Sequence, residues 1–102
     1  PTPVVSLSDF TLVLKKRVTV DEVNDAFKKA AKQARWRGIL EVTDEPLVSS
    51  DFIGNPASAI VDLSLTRVVD GDLVKVVAWY DNEWGYSNRL AELALEVGRS
   101  IL

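Results

Sequence analysis

The chemistry open to this chain is limited by two residue types that it lacks. Its 102 residues include no cysteine and no histidine. A thiolate nucleophile, an imidazole base, a disulfide and a Cys or His metal ligand are therefore excluded. Any chemistry must use carboxylates, amides, hydroxyls, cationic side chains or aromatic rings.

Four carboxylates gather in the least regular part of the sequence, at Glu41, Asp44, Glu45 and Asp51. Carboxylate oxygens suit hard cations such as Ca²⁺ and Mg²⁺. Their spacing, however, differs from the D-x-D-x-D-G pattern that arranges such side chains around one ion. We therefore expect no metal site.

A second candidate is the stretch Trp79-Tyr80-Asp81-Asn82-Glu83-Trp84. An Asp-Asn pair between a strand and a helix commonly caps the helix, because its side-chain oxygens accept hydrogen bonds from unpaired backbone amides. Aromatic residues in such a stretch are more often part of a core than a ligand platform. The residues alone therefore predict a capped turn from strand to helix.

A third candidate is a tryptophan between two arginines, at Arg35, Trp36 and Arg37, directly before Gly38. Trp and Arg are enriched among residues that dominate binding energy at protein interfaces. A helix end that carries all three is a candidate partner-binding surface.

The composition is typical of a soluble protein with one domain over residues 1–102, since 47% of residues are apolar and 26% are charged. The net charge is −3 and the twelve basic residues are scattered, which argues against nucleic-acid binding. We find no membrane-spanning run and no export signal, so we expect a cytoplasmic protein without a membrane partner. The start at Pro1, without Met, suggests a cut within a longer protein.

The first half of the chain predicts two strands around one helix. Val4 to Val18 is rich in Val, Leu and Phe and predicts a long strand. Thr19 and Glu22 form a T-x-x-E capping box, which predicts a helix that ends near Gly38. Ile39 to Val42 predicts the second strand, and we expect a short extended piece at Leu47 to Ser50.

The second half predicts a hairpin and a closing helix. Ala59 to Val69 and Leu73 to Tyr80 are β-prone runs joined by Asp70-Gly71-Asp72, and Asp-Gly supplies the positive φ angles of a tight turn. From Tyr86 to Ile101 the apolar residues recur every three or four positions, as in an amphipathic helix.

The predicted order is strand, helix, strand, strand, strand, helix. It indicates an α+β fold, a β-α-β-β-β-α two-layer sandwich of ferredoxin-like type. We expect a mostly antiparallel sheet with both helices on one face.

Several motifs resemble those of one enzyme family. The segment Val76 to Arg89, VVAWYDNEWGYSNR, resembles the signature near the C-terminus of phosphorylating glyceraldehyde-3-phosphate dehydrogenases. Pro1-Thr2-Pro3 with Val5-Ser6 and Asp9, Gly38-Ile39-Leu40, and the EPLVSSD segment from Glu45 resemble further motifs of that family. Their order and spacing agree over essentially all 102 residues. The chain resembles the C-terminal half of the family's catalytic domain.

In that family a Cys thiolate attacks the aldehyde, a hydride passes to NAD, and phosphate resolves the thioester. The resemblance implies that the Cys, its His and the Rossmann domain lie upstream, so this chain alone has no catalytic residue and is not an enzyme. It implies that Asn82 contacts the nicotinamide carboxamide and that Tyr86 lies beside the ring. NAD is not expected to bind tightly, because most dinucleotide contacts belong to the Rossmann domain.

The resemblance, together with the residues that depart from it, leaves two functions open. The leading one is a segment of the dehydrogenase that supplies the nicotinamide-side wall and part of the subunit interface, without activity alone. The alternative is an engineered scaffold or protein-binding domain whose designed partner contacts Arg35, Trp36 and Arg37; Trp36, Ala57 and Ala59 depart from the family's usual residues. Self-association is also expected, because a segment exposes sheet edges and apolar surface.

Overall fold

A five-stranded mixed sheet and two helices form the fold of residues 3–102, which the computed structural model describes. The motif residues Pro1 and Thr2 lie outside this range. The strands are β1 (Ser6–Val13), β2 (Leu40–Thr43), β3 (Ala59–Asp62), β4 (Arg67–Val69) and β5 (Leu73–Tyr80), and the helices are α1 (Val20–Lys32) and α2 (Trp84–Ile101).

Strand β5 is the centre of the sheet. It pairs antiparallel with β1 on one side and with β3 and β4 on the other, and β2 pairs parallel with β3 at the outer edge. The strand order is β1-β5-β3-β2, with β4 beside β5. The predicted α+β two-layer sandwich with a mostly antiparallel sheet is confirmed.

The helix cap and the hairpin turn have the predicted geometry. The Glu22 amide donates to Thr19 Oγ1 at 3.2 Å, and the Thr19 hydroxyl donates to the Glu22 carboxylate at 3.3 Å. Asp70 and Gly71 have φ angles of 54° and 78°. Both features depend on residues close in sequence, which is why they could be predicted.

The predicted strand Ala59 to Val69 is interrupted in its middle. The carboxylate of Asp62 accepts hydrogen bonds from the amide and the hydroxyl of Ser64, at 3.2 and 2.6 Å. This local pairing competes with the ladder and produces a turn of 3-10 helix at Leu63–Leu65, so the run becomes β3 and β4. The first strand is also shorter than predicted and covers Ser6–Val13 only.

The segment Leu47 to Ser50 was expected to be extended, but it leads into a 3-10 turn at Ser49–Phe52. The Val48 amide donates to the Asp51 carboxylate at 2.7 Å and holds this turn. Phe52 is thereby buried and stacks on Trp79 with ring centroids 5.2 Å apart. Trp79 thus belongs to a core, as predicted, whereas Trp84 is 51% exposed.

Helix α1 forms the second layer of the sandwich. Val23 and Phe27 pack on a cluster of buried sheet and loop residues, namely Val61, Leu63, Val74, Val76 and Ala78. Full burial of a Val or Leu side chain, as at Val74 and Leu63 in this cluster, stabilises a fold by roughly 1.5–3 kcal/mol. A smaller cluster that includes Val5, Phe52, Ala57 and Ile60 lies apart from it.

Helix α2 meets the rest of the chain through its first turns. Gly85 is buried against the Ala57 carbonyl, while every residue from Leu90 to Leu102 except Gly98 is exposed. Helix α1 covers one face of the sheet, as expected. The contacts of α2 with the rest of the chain lie at its N-terminal end, at Gly85 and Arg89. Within residues 3–102 neither helix is long and apolar enough to cross a membrane.

We predict that Gly85→Ala destabilises the fold although alanine favours helices. A Cβ atom at Gly85 would lie 2.8 Å from the Ala57 carbonyl oxygen, which belongs to the backbone and cannot move aside cheaply. The expected loss in free energy of unfolding is about 1–3 kcal/mol, measured by urea unfolding with tryptophan fluorescence.

The matched control is Gly98→Ala in the same helix. Apart from the adjoining residues and the nearby backbone of the helix itself, no atom of the described chain lies within 4 Å of a Cβ placed at Gly98. This variant should be more stable by up to about 1 kcal/mol, the propensity difference between the two residues. Equal effects of the two substitutions would contradict the proposed steric role of Gly85.

Candidate functional site

Asp81 follows β5 directly and links the end of this strand to the loop at Gly54 and to the start of α2. Its Oδ1 accepts hydrogen bonds from the amides of Glu83 and Trp84 at 3.0 and 2.9 Å, and its Oδ2 accepts one from Gly54 at 2.9 Å. The predicted capped turn is confirmed, and the contact with Gly54 ties it to the preceding loop. The Trp84 and Gly54 amides hold the pKa of Asp81 below its usual value, against the opposite effect of burial.

Asn82 is oriented by a residue 77 positions away. The Val5 amide donates to Asn82 Oδ1 at 2.9 Å. Val5 is buried and has a φ of 75°, a region that a β-branched residue rarely occupies. Because its oxygen is engaged by Val5, the exposed Asn82 side chain presents its Nδ2 as a donor.

Asn82 and Tyr86, the two residues expected to bind cofactor, line the same open cavity of about 360 Å³. Tyr86 is 68% exposed, so most of this residue is accessible to another molecule. The remaining lining residues are Ser58, Tyr80, Asp81, Gly85 and Arg89. The structure therefore brings the two predicted residues together.

Arg89 spans from this cavity to the start of β2. Its Nη1 donates to the Ser58 hydroxyl at 3.1 Å and to the Gly38 carbonyl at 3.3 Å, and its Nη2 pairs with Glu92 at 2.8 Å. Its Nε is buried and has no hydrogen-bond acceptor among residues 3–102. Sequence reasoning missed Ser58 and Arg89 as wall residues; the only available signal was that Arg89 ends the signature segment.

Trp36 lies in the wall of a second cavity, of about 500 Å³, and is half-buried. Arg35 places its guanidinium 4.8 Å from the centre of the Trp36 ring, and Arg37 is exposed. Residues of α1, β2 and β3 also line this cavity, among them Ala26, Phe27, Ala30, Leu40 and Ala59. Ser58 borders both cavities.

Two of the four carboxylates considered for a cation have other partners. Glu41 accepts a hydrogen bond from Asn55 at 3.0 Å, and Asp51 holds the turn described above. In the part of the chain that the structure describes, no three carboxylates are grouped to hold a metal ion.

Comparison with known proteins decides the family. Residues 1–82 match the model of the glyceraldehyde 3-phosphate dehydrogenase C-terminal domain. The chain belongs to this family. It is 54% identical over 101 residues to the glyceraldehyde-3-phosphate dehydrogenase of Mycobacterium tuberculosis strain H37Rv, and 52% identical to that of Streptomyces coelicolor.

The similarity to these dehydrogenases covers 99% of this chain. The dehydrogenase of Zymomonas mobilis is 48% identical over the same length. The chain spans about 30% of the length of these curated relatives. The family expected from the YDNEWGY segment and its companion motifs is therefore confirmed.

We predict that Asp81→Asn lowers the free energy of unfolding by about 1–3 kcal/mol at neutral pH, because an amide cannot accept all three backbone hydrogen bonds. The folded pKa of Asp81 lies below its unfolded value of about 4. Its stabilisation is therefore present above the unfolded pKa and lost as the pH falls through the folded pKa.

The difference in free energy of unfolding between the unsubstituted chain and Asp81→Asn should therefore shrink in acid, when urea unfolding is repeated from pH 7 downward. Asp44→Asn, at an exposed carboxylate, is the control and should stay within about 0.5 kcal/mol throughout. A difference that does not vary with pH would mean that the Asp81 charge is not what the three amides stabilise.

Proposed function

We propose that this chain is the segment of a phosphorylating glyceraldehyde-3-phosphate dehydrogenase that forms the nicotinamide-side wall of the active site. The observation that carries the proposal is the Asn82 amide, held by Val5 and placed with Tyr86 on one cavity wall. We further propose that the chain has no dehydrogenase activity by itself.

The described residues suit a nicotinamide group. A primary carboxamide has a carbonyl oxygen that can accept from the Asn82 Nδ2, the donor left available by the Val5 contact. The Tyr86 ring offers an aromatic surface at the edge of the same cavity and would exclude water from it. When bound, NAD supplies the hydride acceptor of the reaction.

Tight binding and turnover require groups outside this wall. The chain has no Cys or His to serve as nucleophile or base. Dinucleotides gain most of their contacts from a Rossmann domain, and this chain spans about 30% of its relatives' length. The role of Asn82 and Tyr86 is therefore to orient one ring rather than to supply most of the affinity.

A contribution to a subunit interface is also proposed, on the sheet face opposite α1. Val13 and Leu73 are direct neighbours across β1 and β5, and Val69 is the neighbour of Leu73 on β4. Their exposed fractions are 75%, 36% and 58%. A row of exposed apolar residues across three strands is typical of a surface that packs on another subunit.

The test is thermal unfolding of the chain with and without NAD. Weak binding, with a dissociation constant on the order of 1 mM, is expected. With NAD at ten times its dissociation constant, the free energy of unfolding should increase by about 1.4 kcal/mol. This corresponds to a rise in Tm of several degrees for a domain of this size. Asn82→Asp should abolish the rise, because a carboxylate can still accept from Val5 but cannot donate.

Gln33→Glu, an exposed amide-to-acid change outside the cavity, should keep the full rise. The same samples are assayed for NAD reduction with glyceraldehyde 3-phosphate and phosphate, and none is expected. Turnover by the chain alone, or an undiminished shift in Asn82→Asp, would refute the proposed role.

A second candidate function, binding of a partner protein at Arg35, Trp36 and Arg37, is favoured by the apolar cavity that Trp36 borders. Peptides selected from a random display library against the chain test it. Trp36→Ala should weaken the binding of those peptides by about 2 kcal/mol or more, whereas Leu95→Ala in α2 should leave their affinity unchanged. Peptides that bind both variants equally would show that this surface is not a preferred site.

A further inference from the structure

Arg89 links the second turn of α2 to the side of the sheet where β2 and β3 begin. Its Nη1 donates to the Ser58 hydroxyl at 3.1 Å and to the Gly38 carbonyl at 3.3 Å, on residues 31 and 51 positions away in the sequence. The side chain is 24% exposed, so most of it is withdrawn from solvent. These contacts therefore connect distant parts of the chain.

The backbone around the two acceptors is held by the β2–β3 pair. The Ser58 amide donates to the Ile39 carbonyl at 2.8 Å. Leu40 and Ala59, the next residues of the two segments, are paired neighbours in the parallel ladder. Arg89 is therefore attached to a part of the sheet whose own position is already fixed.

The position of the Tyr86 ring depends on the backbone of α2. Tyr86 is 68% exposed, so little packing around its own side chain holds it. Asp81 and Gly85 fix the start of the helix, and Arg89 holds the following turn. Tyr86 and Arg89 are three residues apart, which places them on the same side of the helix, and both line the cavity that contains Asn82.

A small rotation of α2 would be enough to misplace the Tyr86 ring. A side-chain tip lies about 6 Å from the helix axis, so a rotation of about 15° displaces it by roughly 1.5 Å. Displacements of about 1 Å can weaken the productive placement of a bound group considerably. The bonds from Arg89 to Ser58 and Gly38 oppose such a rotation, because they join the side of the helix to the sheet.

Glu92 orients the guanidinium of Arg89. Its carboxylate accepts from Nη2 at 2.8 Å, from a position three residues further along α2. Glu92 is 56% exposed, and an exposed ion pair adds little stability by itself. The effect of this pair is to direct Nη1 towards Ser58 and Gly38.

We propose that Arg89 is a positioning residue of the nicotinamide-side wall. Its bonds to Ser58 and Gly38 set the rotation of α2 and thereby hold Tyr86 on the cavity wall beside Asn82. Arg89 acts on the ligand through Tyr86. The identity of the ligand rests on the proposed function, whereas the position of Tyr86 is a property of the chain without ligand.

Fluorine NMR of the full chain, labelled with meta-fluorotyrosine, tests this proposal. The chain has two tyrosines, Tyr80 in β5 and Tyr86 in α2, so it should give two resonances, which Tyr86→Phe assigns. Arg89→Met keeps a long side chain without a donor and should shift or broaden the Tyr86 resonance far more than the Tyr80 resonance. The matched control Arg99→Met, at an exposed residue in the last turn of α2, should move neither.

Ser58→Ala separates the effect of the hydrogen bond from that of the Arg89 charge. It removes the hydroxyl acceptor and keeps the guanidinium, so it should displace the Tyr86 resonance in the same direction as Arg89→Met. The displacement should be smaller, because the Gly38 carbonyl remains. Adding Ser58→Ala to Arg89→Met should have no further effect, as expected for two residues that act through one contact. Ser58→Ala alone is decisive if circular dichroism shows that Arg89→Met does not fold.

Titration of the same samples with NAD measures the consequence for the ligand. NAD should shift the Tyr86 resonance of the unsubstituted chain, and Arg89→Met should raise the dissociation constant for NAD by about fivefold or more, because the displaced ring loses contact. Urea unfolding of each variant is measured alongside. A residue that only stabilises the fold would change the free energy of unfolding and leave the resonance and the NAD affinity of the folded chain unchanged.

Three results would each overturn the role of Arg89: a Tyr86 resonance unchanged in both Arg89→Met and Ser58→Ala, equal changes in Arg89→Met and Arg99→Met, or an NAD affinity that Arg89→Met leaves unchanged. A titration in which NAD moves neither resonance of the unsubstituted chain would instead overturn the nicotinamide ligand. The failure of the positioning role and the failure of the proposed function are therefore distinguishable.

Discussion

The carboxylate of Asp81 is the point on which the arrangement of this chain depends. A buried carboxylate is stable only when its oxygens accept enough hydrogen bonds, and here three backbone amides supply them. Those amides come from the loop before β3 and from the first turn of α2. One side chain therefore sets the end of β5, the position of the loop and the direction of the last helix.

The geometry of the candidate site follows from that anchor. Because α2 starts where Asp81 places it, Asn82 can accept from Val5 and Gly85 can approach the Ala57 carbonyl. The positive φ of Val5 costs on the order of 1–3 kcal/mol, which the surrounding contacts must offset. The strained residue donates its amide to Asn82 Oδ1 and so fixes the orientation of that side chain.

The same anchor explains why the surface is uneven. The direction of α2 leaves Leu90, Leu93, Val97 and Ile101 exposed to solvent. Helix α1 covers the sheet towards β2 and leaves the β1 side uncovered. The chain nevertheless has two separate clusters of buried apolar residues. Large exposed apolar surfaces of this kind usually mark contacts with other protein surface.

The sequence by itself determined the features that rest on near neighbours: the Thr19 cap, the Asp70-Gly71 turn, the helical periodicity, the family motifs and the chemistry excluded with Cys and His. Tertiary structure alone decided the rest. The break at Asp62 and the Val5–Asn82 contact depend on hydrogen bonds that hydrophobic periodicity does not encode, and a β-branched residue argues locally against a positive φ. Which apolar stripes are buried is likewise settled only when the elements meet, because periodicity marks a face without naming its partner.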